Sequence, residues 1–308
     1  MTPKASFGKG SAASCGVLNS PLRGIVQLTN SAALRFRNWS FNNKKYSYAQ
    51  NMLRLINFPI CCVSMTPLDT ETHSSIERII KKEVKLMKIL GINASPRGSK
   101  SQTRKLVQAV LDGASSQGAT VELVDLSRLK IEYCIACGIC YETGKCVKKD
   151  DFQILYKKIL SADGLVMGSP NYFHSVTAQM KTMIDRMADT VHCQLLTGKY
   201  TVNVATSGGA GQHKQVIDYM DEIMLNFGSF ITGSAGVSAR QGIKAWANAG
   251  TKAFILGETL VDNIRKKKNY VKQSKLLRSN RKYFQDLVKL FKNVWIHEYE
   301  YWEKHDWK

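Results

Sequence analysis

Residues 87–103 read MKILGINASPRGSKSQT. The first part, Met87 to Asn93, is a short and nearly continuous apolar run, which predicts a buried β-strand. A polar turn, Ser95–Thr103, follows, and helix-forming residues continue from Thr103 to Ser116. A strand, a polar turn and a helix in this order predict the first unit of an α/β fold.

The same alternation continues along the chain. Further apolar runs predict strands at Thr120–Asp125, Gly164–Gly168, Tyr200–Thr206 and, more weakly, Phe230–Val237. Between them lie three amphipathic helices, predicted from an N-cap at Asp150 to about Leu160, over Ala178–Ala188 and around Gln215–Leu225. The pattern predicts a doubly wound, five-stranded parallel sheet covered on both faces, which binds ligands at the carboxyl ends of its strands.

The chain divides into three predicted segments: residues 1–86, the α/β domain at 87–255, and a helical extension at 256–308. The first segment has no Asp or Glu before Asp69 and shows no sustained periodicity. It is interpreted as a disordered extension, an acid-poor organelle transit peptide, or sequence upstream of a true start at Met87. In the last segment, Trp295, Tyr299 and Trp302 fall on one helical face, which predicts packing against the body or a second subunit.

The charge is strongly basic, with 44 Lys and Arg against 24 Asp and Glu, and the excess lies at the two ends. Residues 1–86 hold 12 basic against 4 acidic residues, and residues 264–308 hold 13 against 5. Such a surface suits an acidic partner, or is simply solvated. The sequence has no RNA-binding signature and no apolar run long enough to span a bilayer, so neither nucleic acid nor membrane is an expected partner. With no secretory signal, the expected location is the cytoplasm, or an organelle if the first segment is a transit peptide.

The turn Ser95–Thr103 has the composition of a phosphate site. Free backbone N–H groups at a helix N-terminus, several hydroxyls and two cations, Arg97 and Lys100, would together attract an anion. The order G-x-x-x-x-G-K-[ST] of nucleotide-binding P-loops is absent, as is the dinucleotide fingerprint G-x-G-x-x-G. An ordinary strand-to-helix loop is the alternative.

Four of the eight cysteines form a compact C-x₂-C-x₂-C-x₅-C motif at Cys134, Cys137, Cys140 and Cys146. Zinc ribbons use two distant C-x₂-C pairs, whereas a local quartet can reach the corners of one cuboidal cluster. The spacing favours one [4Fe–4S] cluster, with zinc as the alternative.

Two more loops follow predicted strands, Ser169–Ser175 and Thr206–Gln212. Aromatic side chains beside backbone N–H groups suit a flat heteroaromatic ring, and glycines let the backbone approach it. Tyr172 and Phe173 could instead be packing residues. Three such loops on one sheet edge favour a ligand site.

From Met87 onward the sequence resembles the iron–sulfur flavoproteins and their relatives, the flavodoxin-like NADPH-dependent FMN reductases. The stretches that carry the resemblance are NASPRGSKSQT (93–103), CIACGICYETGKC followed by VKKDD (134–151), and GSPNYFHSVTAQMKTMIDR (168–186). Relatives often have Gly or Asn at the position of Gln102. The complete cysteine quartet is typical of the iron–sulfur branch.

The resemblance implies a flavodoxin-like fold and two bound cofactors, FMN and the cluster. It implies that the FMN phosphate lies in the first loop, at Ser95, Arg97, Ser101, Gln102 and Thr103. It implies that the flavin ring lies against the other two loops, at Pro170, Asn171, Tyr172, Phe173, Thr206, Ser207, Gly208 and Gly209. Relatives assemble as dimers or tetramers, so a homo-oligomer is expected.

The expected function is that of a flavin-dependent oxidoreductase, in which FMN and the cluster exchange electrons with a donor such as ferredoxin. A reductase that takes hydride from NAD(P)H and reduces a quinone-type acceptor is the alternative. A non-redox zinc-binding module is the second alternative. No catalytic side chain is predicted, because the cofactors carry the chemistry.

Three further residues carry structural predictions. Asp185 and Arg186 are expected to pair with each other, and Cys193 is expected to be a buried small residue.

Overall fold

A computed structural model describes residues 86–209 and 211–307. The predicted N-terminal segment, residues 1–86, therefore lies outside the described residues except for Leu86. The structure groups Leu86–Lys308 into one unit.

Five parallel strands form the centre of this unit. Their bounds are β1 Lys88–Asn93, β2 Thr120–Asp125, β3 Gly164–Pro170, β4 Tyr200–Ser207 and β5 Phe230–Ser238. The strand order is β2-β1-β3-β4-β5, with all four pairings parallel. The predicted flavodoxin-like sheet is confirmed. In this order β2 lies on one side of β1 and the later strands are added on the other side, so the strand order reverses between β1 and β3. Folds of this kind bind ligands in the crevice outside the carboxyl ends of these two strands.

Nine α-helices connect and cover the strands in the described residues. They are α1 Gln102–Ser116, α2 Ile139–Thr143, α3 Phe152–Ser161, α4 Ala178–Asp185, α5 Ala188–Cys193, α6 His213–Asn226, α7 Gly242–Lys266, α8 Val271–Leu290 and α9 Ile296–Lys304. None of the helices in this part of the chain is both long and apolar enough to cross a bilayer.

Successive residues of a strand are buried on opposite faces of the sheet. In β3, Val166 packs with Val107 of α1, while Leu165 and Met167 belong to the core shared with α3, α4 and α6. Helices α1 and α7 thus cover one face, and α3, α4 and α6 cover the other. This period of two follows from the alternating side-chain directions of a strand.

Helix α7 crosses α1 at backbone contact through two glycines. A Cβ added at Gly257 would lie 1.9 Å from the carbonyl oxygen of Val110, and one at Gly113 would lie 2.0 Å from that of Phe254. Helix α7 also runs without interruption through position 255, where the sequence predicts the end of the α/β domain. Residues 256–266 of the predicted C-terminal extension therefore belong to a helix that covers the sheet.

The structure tests three local predictions around α3 and α4, and two of them are wrong. Asp150 caps the first turn of α3 as predicted, because its carboxylate accepts the N–H of Phe152 (3.1 Å), and it also pairs with Arg186 (2.8 Å); Asp151, directly before the helix, makes no side-chain cap. Asp185 pairs with Lys181 instead of Arg186. The predicted helix Ala178–Ala188 ends at Asp185: Arg186 still donates its N–H to Thr182 (3.3 Å), but Met187 leaves the helical conformation, and α5 begins at Ala188.

The C-terminal aromatic residues pack against the body. Trp302 is buried and donates its indole N–H to the carbonyl of His192 (3.1 Å), and Trp295 stacks on the His192 ring at 4.5 Å. Tyr299 is only half-buried, with its ring edge against Trp307. Helix α9 thereby covers α5 and the cysteine segment, since Trp295 also contacts Tyr141 of α2 (5.1 Å).

Candidate functional site

Three loops lie side by side at the carboxyl edge of the sheet. Backbone hydrogen bonds connect them in series: Ala94 N–H donates to Gly168 (2.8 Å), and Asn171 N–H donates to Thr206 (2.7 Å). The loops after β1, β3 and β4 therefore extend from adjacent strands, at the position where the switch in strand order opens a crevice.

The first loop ends at the N-terminus of α1. Ser101 caps the helix, because its hydroxyl accepts the N–H of Arg104 (3.1 Å) and its carbonyl accepts that of Lys105 (3.4 Å). In the described chain this leaves the N–H groups of Gln102 and Thr103 without an acceptor, as is usual for a first helical turn. Ser95 is buried, with its hydroxyl accepting the N–H of Arg97 (3.4 Å).

Positive charge surrounds these free N–H groups. Arg97, Lys100 and Gln102 are exposed, so both cations and the amide can reach a ligand above the loop. The helix dipole adds a partial positive charge at the same end. The donors present fit an anionic group such as a phosphate.

A buried hydrogen bond joins the first loop to the third. The hydroxyl groups of Thr103 and Thr206 are 2.7 Å apart, and both side chains are almost completely buried. The first turn of α1 and the end of β4 are therefore held together directly.

The second loop is a tight two-residue turn. Tyr172 and Ser175 exchange backbone hydrogen bonds of 3.0 Å, and both residues between them have positive φ, +47° at Phe173 and +67° at His174. Neither is glycine, so this backbone is strained. Phe173 is 97% exposed and Tyr172 is 43% exposed, which leaves two aromatic rings free to contact a ligand or another chain.

The base of the second loop holds an unsatisfied acceptor. Pro170 and Asn171 are half-buried, and Asn171 Oδ1 is buried with no donor among the described residues. Because an unpaired buried polar atom is costly, a ligand N–H or hydroxyl would improve this site. The base of this loop therefore fits a heteroaromatic ring that carries hydrogen-bonding groups.

The third loop is fixed from beneath. Ser207 is buried, and its hydroxyl donates to the carbonyl of Gly209 (2.9 Å), which also accepts the hydroxyl of Ser238. Gly208 is exposed and Gly209 half-buried, so the backbone here is accessible. His213 lies beneath this loop. Burial and the positive charge of Lys214 lower the pKa of its imidazole. The sequence alone does not predict that Ser238 contacts this loop, because the parallel pairing of β5 with β4 is what brings it there.

The four motif cysteines line a single cavity of about 210 Å³, together with Arg186 of the α4–α5 connection. Burial raises the pKa of Cys140 to about 12, and the negative charges of Asp189 and Cys146 add to this effect. A thiolate at Cys140 thus needs positive charge, which a bound metal would supply. In residues 86–209 and 211–307 no three Cys, His, Asp or Glu side chains are close enough to hold one metal ion. The ligand set therefore stays a prediction.

Arg186 anchors the cysteine loop. Its side chain is fully buried, with Nη1 donating to the carbonyl of Glu132 (2.8 Å) and both Nη atoms bound to Asp150 (2.8 and 3.2 Å). Burial lowers the pKa of Arg186, but hydrogen bonding to Asp150 and the nearby Cys146 raise it above its usual range. Arg186 was not predicted as part of the site.

Comparison with known proteins defines the family. The model of the NADPH-dependent FMN reductase family matches residues 87–243, which is just over half of the chain. The chain belongs to this family. The family prediction is confirmed, and with it the prediction of a flavin-dependent oxidoreductase.

Within the family, an iron–sulfur flavoprotein of Archaeoglobus fulgidus is 38% identical over 149 residues, which is 48% of this chain and 67% of that protein. One from Methanocaldococcus jannaschii is 40% identical over 100 residues, 32% of this chain and 51% of that protein.

A solved NAD(P)H:quinone oxidoreductase of Methanothermobacter marburgensis is more distant, at 20% identity and a TM-score of 0.46 over 57% of this chain and 97% of that one.

Proposed function

We propose that this family member is an electron-transfer flavoprotein that holds FMN along the three-loop edge and one [4Fe–4S] cluster in the cysteine cavity. The observation that carries the proposal is that Cys134, Cys137, Cys140 and Cys146 all line one cavity. The similarity to two proteins named iron–sulfur flavoproteins supports it.

The first loop would hold the FMN phosphate with the N–H groups of Gln102 and Thr103, the hydroxyls of Ser95 and Ser101, and the Arg97 side chain. Pro170, Asn171, Tyr172, Phe173 and the 206–209 loop would hold the ring. When bound, FMN and an iron–sulfur cluster supply one- and two-electron transfer. The residues of the chain contribute position, hydrogen bonds and exclusion of water.

The first experiment is cofactor analysis of the full chain purified without oxygen. We expect a yellow-brown protein with about four iron atoms and one FMN per chain. Cys140→Ser should lose most of the iron, because a cluster corner loses its thiolate. Cys193→Ala is the matched control, since Cys193 is buried outside the motif. Full iron content in Cys140→Ser, or zinc in place of iron, would contradict the proposal.

The proposed electron donor is a small acidic protein such as ferredoxin, because the chain carries a net charge of +20. Attraction between opposite charges speeds association and is screened by salt. Reduction by ferredoxin should therefore slow several-fold between low and physiological ionic strength. A rate independent of salt, together with rapid bleaching of the flavin by NADPH, would favour the NAD(P)H-dependent alternative. Assembly as a homodimer or homotetramer is also proposed.

A further inference from the structure

The guanidinium of Arg186 is not fully hydrogen-bonded by the described residues. A guanidinium group carries five N–H bonds, and three of them, all on the two Nη atoms, donate to Glu132 and Asp150. The Nε–H, by contrast, is buried, and Nε is the one nitrogen of the group with no acceptor among the described residues. Phe152 stacks on the guanidinium at 4.6 Å and offers no lone pair in the plane of the N–H.

An unpaired donor on a fully buried cation is expensive. Leaving such a group without an acceptor incurs its full desolvation cost, which is larger when the group is charged. Native proteins leave few such groups, and a ligand or ion that binds at that place is one of the usual reasons for one. The position of Arg186 is fixed by its ion pair with Asp150, so the side chain cannot turn away to find water.

The cavity beside Arg186 suggests what the acceptor is. Arg186 lines it with the four motif cysteines, and Cys146 lies close enough to stabilise the guanidinium charge. A cluster bound there would bring thiolate and sulfide sulfurs into this space, and both are hydrogen-bond acceptors.

We propose that Arg186 is a positioning residue of the cluster, whose Nε–H donates to a sulfur atom at the Cys146 corner. The inference rests on the proposed function, because it requires the cluster to be present. A hydrogen bond to sulfur withdraws electron density and stabilises the reduced cluster, so this contact raises the reduction potential. The same side chain holds the cysteine loop through Glu132 and Asp150.

The test is Arg186→Lys, which keeps the positive charge beside Asp150 but removes the Nε–H. The reduction potential is measured by a potentiometric titration followed by EPR. At a fixed solution potential, the ratio of reduced to oxidised cluster should fall about tenfold in the variant, which corresponds to a reduction potential lower by 59 mV for a one-electron couple. Arg265→Lys, the same substitution on α7 at the opposite face of the sheet, is the control and should leave the potential unchanged.

Asp150→Asn separates hydrogen bonding from anchoring. It weakens the anchor but keeps the Nε–H, and it removes a negative charge, so its potential should not fall. If Arg186→Lys keeps full iron and an unchanged potential while the parent protein holds its cluster, the inference is overturned and the proposed function stands. If the parent protein holds no iron, both fail.

A measurement on the parent protein covers the case in which Arg186→Lys fails to fold or to load iron. Pulsed EPR of the reduced protein, grown with ¹⁵N-labelled arginine, should show a ¹⁵N coupling to the cluster. No such coupling would overturn the inference.

Discussion

At the scale of single residues, the ion pair of Asp150 and Arg186 holds the cysteine loop to the body. Both side chains are buried, 6% and 0% exposed. Removing one partner of a buried pair leaves an uncompensated charge, which costs about 3–5 kcal/mol. Because Asn can still accept one hydrogen bond, we expect Asp150→Asn to lower the free energy of unfolding by about 3 kcal/mol at pH 7 in urea titrations.

The pH dependence of this loss follows from the Asp150 carboxyl. Burial alone would raise its pKa, but hydrogen bonds from Arg186 and from the N–H groups of Glu132 and Phe152 lower it below the usual range. A carboxyl with a lower pKa in the folded state stabilises the fold above its unfolded pKa and loses that effect as pH falls through the folded value. The gap between parent and Asp150→Asn should therefore narrow below about pH 4.

Asp185→Asn is the control for this prediction. Asp185 pairs with Lys181 in solvent, where an ion pair contributes less than about 1 kcal/mol. Equal losses in the two variants would show that the Asp150 pair does not anchor the loop.

At the scale of elements, the crossing of α1 and α7 depends on the absence of two side chains. Gly113→Ala and Gly257→Ala would each place a methyl group within 2.0 Å of a backbone carbonyl oxygen, so the helices must separate. Overpacking of this kind costs about 3 kcal/mol. Gly250→Ala in the same helix meets nothing within 4 Å and should instead stabilise by about 0.5–1 kcal/mol. Thermal unfolding of the three variants would compare them, and a stable Gly257→Ala would contradict the crossing.

The elements themselves were largely predictable from sequence, because the central strands β1, β3 and β4 are short apolar runs buried on both faces. Ile89 and Val166, for example, are apolar in sequence and buried in the structure. What could not be predicted depends on distant partners. Nothing near Asp150 indicates that it, and not Asp151, turns toward an arginine 36 positions away. The hydroxyl of Thr103 likewise bonds to a residue 103 positions later.

At the scale of the whole molecule, the C-terminal helices close over α5 and the cysteine segment. Trp302 is 3% exposed and Cys193 is 1% exposed beneath this cover. Trp302→Ala should cost about 3–5 kcal/mol and make Cys193 accessible to a thiol reagent, as measured by mass spectrometry after timed labelling. Tyr299→Ala removes a half-exposed ring and should leave labelling slow. If Cys193 stays protected in Trp302→Ala, α9 is not its cover.

The hydroxyl contact between Thr103 and Thr206 has a consequence for affinity. The contact joins the loop that would hold the FMN phosphate to the loop that would hold the flavin ring. Ordering of either loop by its end of FMN therefore lowers the free-energy cost of ordering the other. Riboflavin, which has the ring but no phosphate, should then bind more weakly than the missing phosphate contacts alone would explain. In Thr103→Val protein the two ends would act independently, and that extra penalty should disappear in calorimetric titrations.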